Sequence, residues 1–204
     1  MNKISIITFL LFSVFPFVAQ AQMTGDKVLD KSAKVITSAP SMTVNFTVGT
    51  SRGNSSGWIT MSGKKFIFSS GDLKVWYDGT SQWALQRSVS EVSLTTPTAS
   101  ELVDSNPFEL ISRHKQLFTA KLLSTSKEGY RVQLTPKSKG SQIKAATVTI
   151  NSSSFMPKSL DVTMHDGQKM KINVTSTSQG KTLSAAYFKY NPKANPGVEL
   201  IDLR

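Results

Sequence analysis

The chain contains no cysteine. That excludes a disulfide framework, a cysteine zinc site and a thiol nucleophile. It also excludes anchoring through a lipid attached to a cysteine just after a signal peptide. Histidine is nearly absent, with only His114 and His165. Neither has a partner at metal-ligand spacing, so no metal site is expected. There is no Gly-x-Ser-x-Gly elbow, no glycine-rich phosphate loop and no acidic cluster to suggest paired carboxylates. Beyond the amino-terminal segment, no apolar run approaches the roughly 20 residues that span a bilayer. Acidic residues are also scarce: 13 Asp and Glu stand against 24 Lys and Arg, a formal charge of +11.

What is present begins with an address. Lys3 precedes a mostly apolar run from Ile4 to Val18, and Ala19-Gln20-Ala21 fits a small-x-small cleavage signal. Residues 1–21 are therefore expected to be a secretory signal peptide, and residues 22–204 a single exported, soluble domain. Some 180 residues are enough to build one core without disulfides. Removing the signal takes away Lys3 alone, so the remainder carries about +10. The basic residues are scattered, as in Lys64-Lys65, Arg113 to Lys121, Lys137, Lys139, Lys169 and Lys171. They form no run interleaved with aromatics, so nucleic acid is not an expected partner. An anionic membrane surface, a partner protein and a generally solvated basic surface all remain open.

The hydrophobic pattern changes period twice. Val28, Leu29, Ala33, Val35 and Ile36 lie near one helical face, with Thr24 or Asp26 as cap and Pro40 as stop, which predicts a helix over 26–38. Alternation of period two then runs through "TVNFTV", "WITMS", "KFIFSS", "LKVWY", "QWALQ" and "EVSLTT". A helical stretch over about 99–117 interrupts it. Here Phe108, Leu110, Ile111 and Leu117 recur after Asn106-Pro107. Alternation returns in "TAKLLST", "YRVQLTP", "AATVTIN", "KSLDVTM" and "KMKINVTS". The sum is about eleven strands joined by short turns. This is the pattern of a mainly β chain with α: an antiparallel sheet that curls on itself as an incomplete barrel. Two amphipathic helices are available to cover the concave face.

Candidate chemistry is apolar. His165 and Asp166 adjoin Gly167, which reads as a solvated hairpin tip and not as a catalytic dyad. Phe46, Trp58, Phe66, Phe68, Trp76 and Trp83 cluster in the first half. Such a group forms either an ordinary core or the wall of a cavity under the helices. In the cavity reading the lining is Val44, Phe46, Val48, Trp58, Phe66, Phe68 and Trp83. No catalytic residue, metal or cofactor is expected.

Several of these segments resemble, in order, those of the periplasmic outer-membrane lipoprotein carriers of the LolA type. They are "SMTVNFTV" with Phe46, "YDGTSQW" with Asp78, Gly79 and Trp83, "NPFELI", "YRVQLTPK" and "AAYFKYNPKANPGVELID". One departure stands out. The family often carries Lys-Arg-Pro before its third strand, where an Arg is tied to lid closure. Here Ser62 to Lys65 reads "SGKK". The resemblance implies a periplasmic carrier; a monomer is the default, and the lack of a catalytic set argues against an enzyme. It would take the acyl chains of lipoproteins from an inner-membrane release transporter and ferry them to an outer-membrane acceptor. Pro107, Phe108, Leu110 and Ile111 would then be a lid; a helix permanently packed as core is the alternative. Carrier is favoured over acceptor, because the acceptor of similar fold is lipid-anchored and this chain lacks the cysteine. A lipid-binding or envelope-sensing module on the same fold is the first rival, and a hydrolase the second.

Overall fold

Alternating side chains commit most of this chain to strands with one apolar and one polar face. The computed structural model describes residues 23–204; the expected signal peptide, 1–21, lies outside the described residues. Helix α1 (Gly25–Ser38) comes first, capped by the Thr24 side chain, which accepts from the Lys27 amide. Six strands follow: β1 (Ser41–Thr50), β2 (Gly53–Ser62), β3 (Lys65–Ser70), β4 (Leu73–Tyr77), β5 (Gln82–Gln86) and β6 (Glu91–Thr95). Three short helices come next: α2 (Ala99–Ser105), α3 (Glu109–Ser112) and α4 (His114–Leu117). Then come β7 (Phe118–Ser126), β8 (Gly129–Pro136), β9 (Ile143–Ile150), β10 (Pro157–Met164) and β11 (Lys169–Gly180). Two 3-10 turns and a last strand, β12 (Glu199–Asp202), end the described chain.

All twelve strands form one sheet, in the order β12-β6-β5-β4-β3-β2-β1-β11-β10-β9-β8-β7. The two ends of that order do not pair with each other, so the barrel is incomplete. Every pairing is antiparallel except β12 on β6. The expected eleven strands thus become twelve. The extra one is "ELID", which pairs in parallel with β6 from the far end of an irregular tail. The single helical stretch expected over 99–117 is instead three pieces. Asn106 breaks it: its side-chain oxygen accepts from the Phe108 amide, an Asx turn that competes with helix.

The concave face carries the main core. Met42, Val44 and Phe46 of β1 point there, as do Ile59, Phe66 and Val75 from β2, β3 and β4, and Val148, Leu160 and Ile172 from β9, β10 and β11. Val28, Leu29 and Ile36 of α1 and Leu102, Phe108, Leu110 and Ile111 of the short helices cover them. Gly25 lets α1 sit directly on β7, since a Cβ there would lie 3.1 Å from the Ala120 carbonyl and the Leu122 amide. The convex face of β2–β6 holds a second, smaller core. Ile67, Trp76, Leu85 and Val92 are covered there by Phe188 and Tyr190 of the tail, with Trp58 and Trp83 packed against them.

Candidate functional site

The segment before the helices is a capping box: Thr98 accepts from the Glu101 amide, and the Glu101 carboxylate accepts from the Thr98 amide. This fixes α2, whose Leu102 and Val103 face the sheet. The chain turns at Asn106-Pro107, and α3 brings Leu110 and Ile111 down beside them. The rings of Phe46 and Phe68 stack with centroids 5.6 Å apart, and Phe108 meets Phe46 at 5.9 Å. Phe46 can lie flat across the sheet because Gly57 stands opposite. A Cβ there would come within 2.6 Å of the ring.

Beside these rings, between α2–α3 and the sheet, is an apolar cavity of about 270 Å³. Phe46, Val48, Phe68 and Leu73 form one wall, Val162, Met164, Met170 and Ile172 the other. Val103, Pro107 and Leu110 roof it, and Ile143 closes one side. Its polar lining is Asp104 and Gln142 alone. The cavity faces the end of the barrel that carries the β1–β2, β3–β4, β8–β9 and β10–β11 turns.

Electrostatics around the short helices are uneven. Asp104 is exposed at the rim of the cavity; partial loss of water there, with the Glu101 carboxylate one turn earlier, pushes its carboxyl above its ordinary range. Glu109 is pushed up by burial as well, while the Arg113 guanidinium, 2.6 Å away, pulls the other way. His114 is buried at the junction of α4 and α1. Its Nδ1 donates to the Ile111 carbonyl at 2.8 Å, and its Nε2 faces Asp26 and Asp30 of α1 at 3.7 and 3.6 Å. Lys115 reaches Asp30 at 2.8 Å. These contacts tie the short helices to α1 on the side away from the cavity.

Of the residues singled out in the sequence, Phe46, Val48, Phe68, Pro107 and Leu110 line the cavity. Val44, Phe66, Phe108 and Ile111 are in the concave core next to it. Trp58 and Trp83 are not on this face. Ile59 and Ala84, their neighbours in the chain, belong to the concave cluster, and strand alternation sends the two tryptophans to the convex side. They are half-buried there against the core that the tail covers, which is why an apolar residue stands on both faces. Asp104, Gln142, Val162, Met170 and Ile172 were not picked out. The strand alternation of Met170 with Ile172, and of Val162 with Met164, carried the available signal.

The fold is thus an open antiparallel barrel with an apolar cavity roofed by helices. Residues 14–168 match the family described as outer membrane lipoprotein carrier protein LolA. The chain belongs to that family. Its fold resembles that of an uncharacterized conserved protein from Thermus thermophilus, at 12% identity and a TM-score of 0.58, over 86% of this chain and 97% of that one. It also resembles a DUF1329 family protein from Desulfovibrio piger, at 14% identity and 0.52, over 84% and 98%. A LolA superfamily protein from Nitrosomonas europaea aligns at 13% identity and a TM-score of 0.48, over 83% and 99%. No curated protein matches the sequence significantly. Among the described residues, no helix is long and apolar enough to cross a membrane.

Proposed function

We propose that this protein is a periplasmic carrier that holds the acyl chains of lipoproteins between its concave face and the α2–α3 roof. It takes them from an inner-membrane release transporter and shuttles them to an outer-membrane acceptor, acting as a monomer after loss of residues 1–21. The observation that carries this reading is the cavity of about 270 Å³, apolar but for Asp104 and Gln142 and roofed by short helices. At this size the cavity lies just under the roughly 300–1,000 Å³ of pockets that take drug-sized ligands. A multiply acylated anchor enters only if α2–α3 move aside, which makes the roof a lid. Each methylene leaving water contributes about 0.8 kcal/mol. Lid contacts compete with this gain and allow release.

The same volume favours a second reading, a lipid-binding module that holds one short or partly inserted chain without shuttling it. The departure at Ser62 to Lys65, where the family's lid-closing Arg is missing, points the same way. No enzymatic role is proposed. His165 lies in an exposed turn, and Asp166 beside it is engaged by the Gln168 amide and side chain.

The test is displacement of an environment-sensitive apolar dye from the purified protein. An acylated peptide displaces it and the same peptide without lipid does not. Equal displacement by both peptides, or no dye binding, would rule out an acyl site.

A further inference from the structure

The mouth of the cavity has two unlike halves. Around the β3–β4 and β5–β6 turns the charges are mixed: Arg87 is held by Ser69 and the Gly71 carbonyl, and Asp72 accepts from Ser88. The other half is made by the β1–β2, β8–β9 and β10–β11 turns, which strand order brings side by side through β1, β11, β10 and β9. Arg52 stands on the first of these turns, Lys139 on the second, and Lys144 and Lys169 start the strands that leave the second and third. All four are exposed, and among the described residues none has a carboxylate partner. The carboxylates on this half are outnumbered: Asp161 faces Lys171 at 4.0 Å, and Asp166, which accepts from Gln168, stands as a single negative charge against the four cations. Just inside the basic arc, Val48, Met164 and Met170 are half-buried and form the lip of the cavity.

We propose that this basic half of the mouth is a docking surface for an anionic lipid bilayer. An arc of four exposed cations outside an apolar lip matches a layer of phosphates above acyl chains. The side chains are long, unpaired and free of fixed hydrogen bonds. That suits a fluid headgroup layer better than an acidic protein face, which rewards cations held in one geometry. Docking in this pose sets the cavity against the membrane surface. It goes beyond the carrier reading and stands without it, because vesicle binding needs no cargo.

The test uses the purified protein, phosphatidylcholine vesicles with and without phosphatidylglycerol, and two matched triple variants. One is Arg52→Glu, Lys144→Glu, Lys169→Glu at the mouth. The other is Lys64→Glu, Lys127→Glu, Lys181→Glu at the opposite end. Wild type should co-sediment with the phosphatidylglycerol vesicles only, and salt should release it. At about fivefold in affinity per basic residue near the surface, the mouth triple should bind at least ~100-fold more weakly. The distal triple should stay within a few-fold of wild type, and both should keep wild-type dye binding in the cavity. Should the mouth triple lose dye binding too, the triple Gln variant of the same three residues decides, and it must still bind these vesicles less than wild type. Three results would overturn the proposal: wild type ignoring phosphatidylglycerol, equal loss in both Glu triples, or full vesicle binding by the Gln triple.

Discussion

The rings of Phe46 and Phe108 meet with centroids 5.9 Å apart and planes tilted by 56°. One ring belongs to the sheet and the other to the turn that opens α3, so this contact joins the roof to the barrel. Burying a phenylalanine contributes about 1.5–3 kcal/mol, and an aromatic pair adds about 0.5–1.5 kcal/mol. At about 0.8 kcal/mol per methylene, some three to five acyl carbons offset the whole contact. One inserted chain can offset this contact, but the burial of Leu102, Leu110 and Ile111 beside it also holds the roof down. It follows that Phe108→Glu should keep the sheet while spoiling the closed state, because an unpaired carboxylate is costly where the ring now packs. Far-UV circular dichroism should retain wild-type β content, and dye affinity should fall at least tenfold. Loss of the β signal would make this helix part of the barrel's core instead of a lid.

Filling the cavity should reduce binding without harming the fold. Val162 is buried on one wall. Val162→Phe pushes a ring into the space and should cost no more than about 1–3 kcal/mol of stability. Denaturant titration should show that modest loss, and dye affinity should drop by at least tenfold. Unchanged dye affinity would place the ligand elsewhere.

Gly57 leaves room for Phe46. A methyl at this position would lie 2.6 Å from the ring and 2.7 Å from the Ser69 carbonyl oxygen. The ring can turn, but the backbone oxygen cannot. Gly57→Ala should therefore destabilise the protein by about 1–3 kcal/mol and also weaken dye binding, read as a lowered urea midpoint alongside a dye titration. A variant as stable as wild type would mean that the strands separate at little cost.

Asp104 gives the site a pH dependence. Partial loss of water and Glu101 raise its carboxyl above the ordinary 3.8, so the folded chain holds this proton more tightly than the unfolded one. The group therefore lowers stability as pH rises through that range, and it does so fully at neutral pH. An apolar ligand removes more water from it and favours the neutral form further. Dye affinity should thus increase as pH falls from neutral toward the carboxylate range. Asp104→Asn should bind more tightly at neutral pH and lose that part of the slope. A slope unchanged by the substitution would assign it to another group.

Much of the sheet was legible because period-two alternation is a local signal. Each of the eleven strands expected from it has a counterpart, and α1 begins one residue earlier than its pattern suggested. The parallel strand β12 was hidden, since a four-residue edge strand after two 3-10 turns has no hairpin to announce it. The split at Asn106 was masked by apolar spacing that continues across it, although Pro107, which disfavours helix at the residue before it, ends α2 together with the Asx turn to Phe108. The site was half legible. Phe46, Phe68 and Leu110 stand in distinctive motifs, whereas Val162, Met170 and Ile172 reach the cavity only through the curl of the sheet. Trp58 and Trp83 misled for a physical reason. The tail makes the convex face of β2–β6 a second interior, so apolarity no longer tells inside from outside there.

Native mass spectrometry tests the central claim most directly. The protein is incubated with inner-membrane vesicles that release a triacylated lipoprotein, and separately with the same polypeptide lacking its acyl chains. The account predicts a one-to-one complex with the acylated form alone, abolished by Val162→Phe. A bare chain in both samples, or equal capture of the unacylated polypeptide, would contradict it.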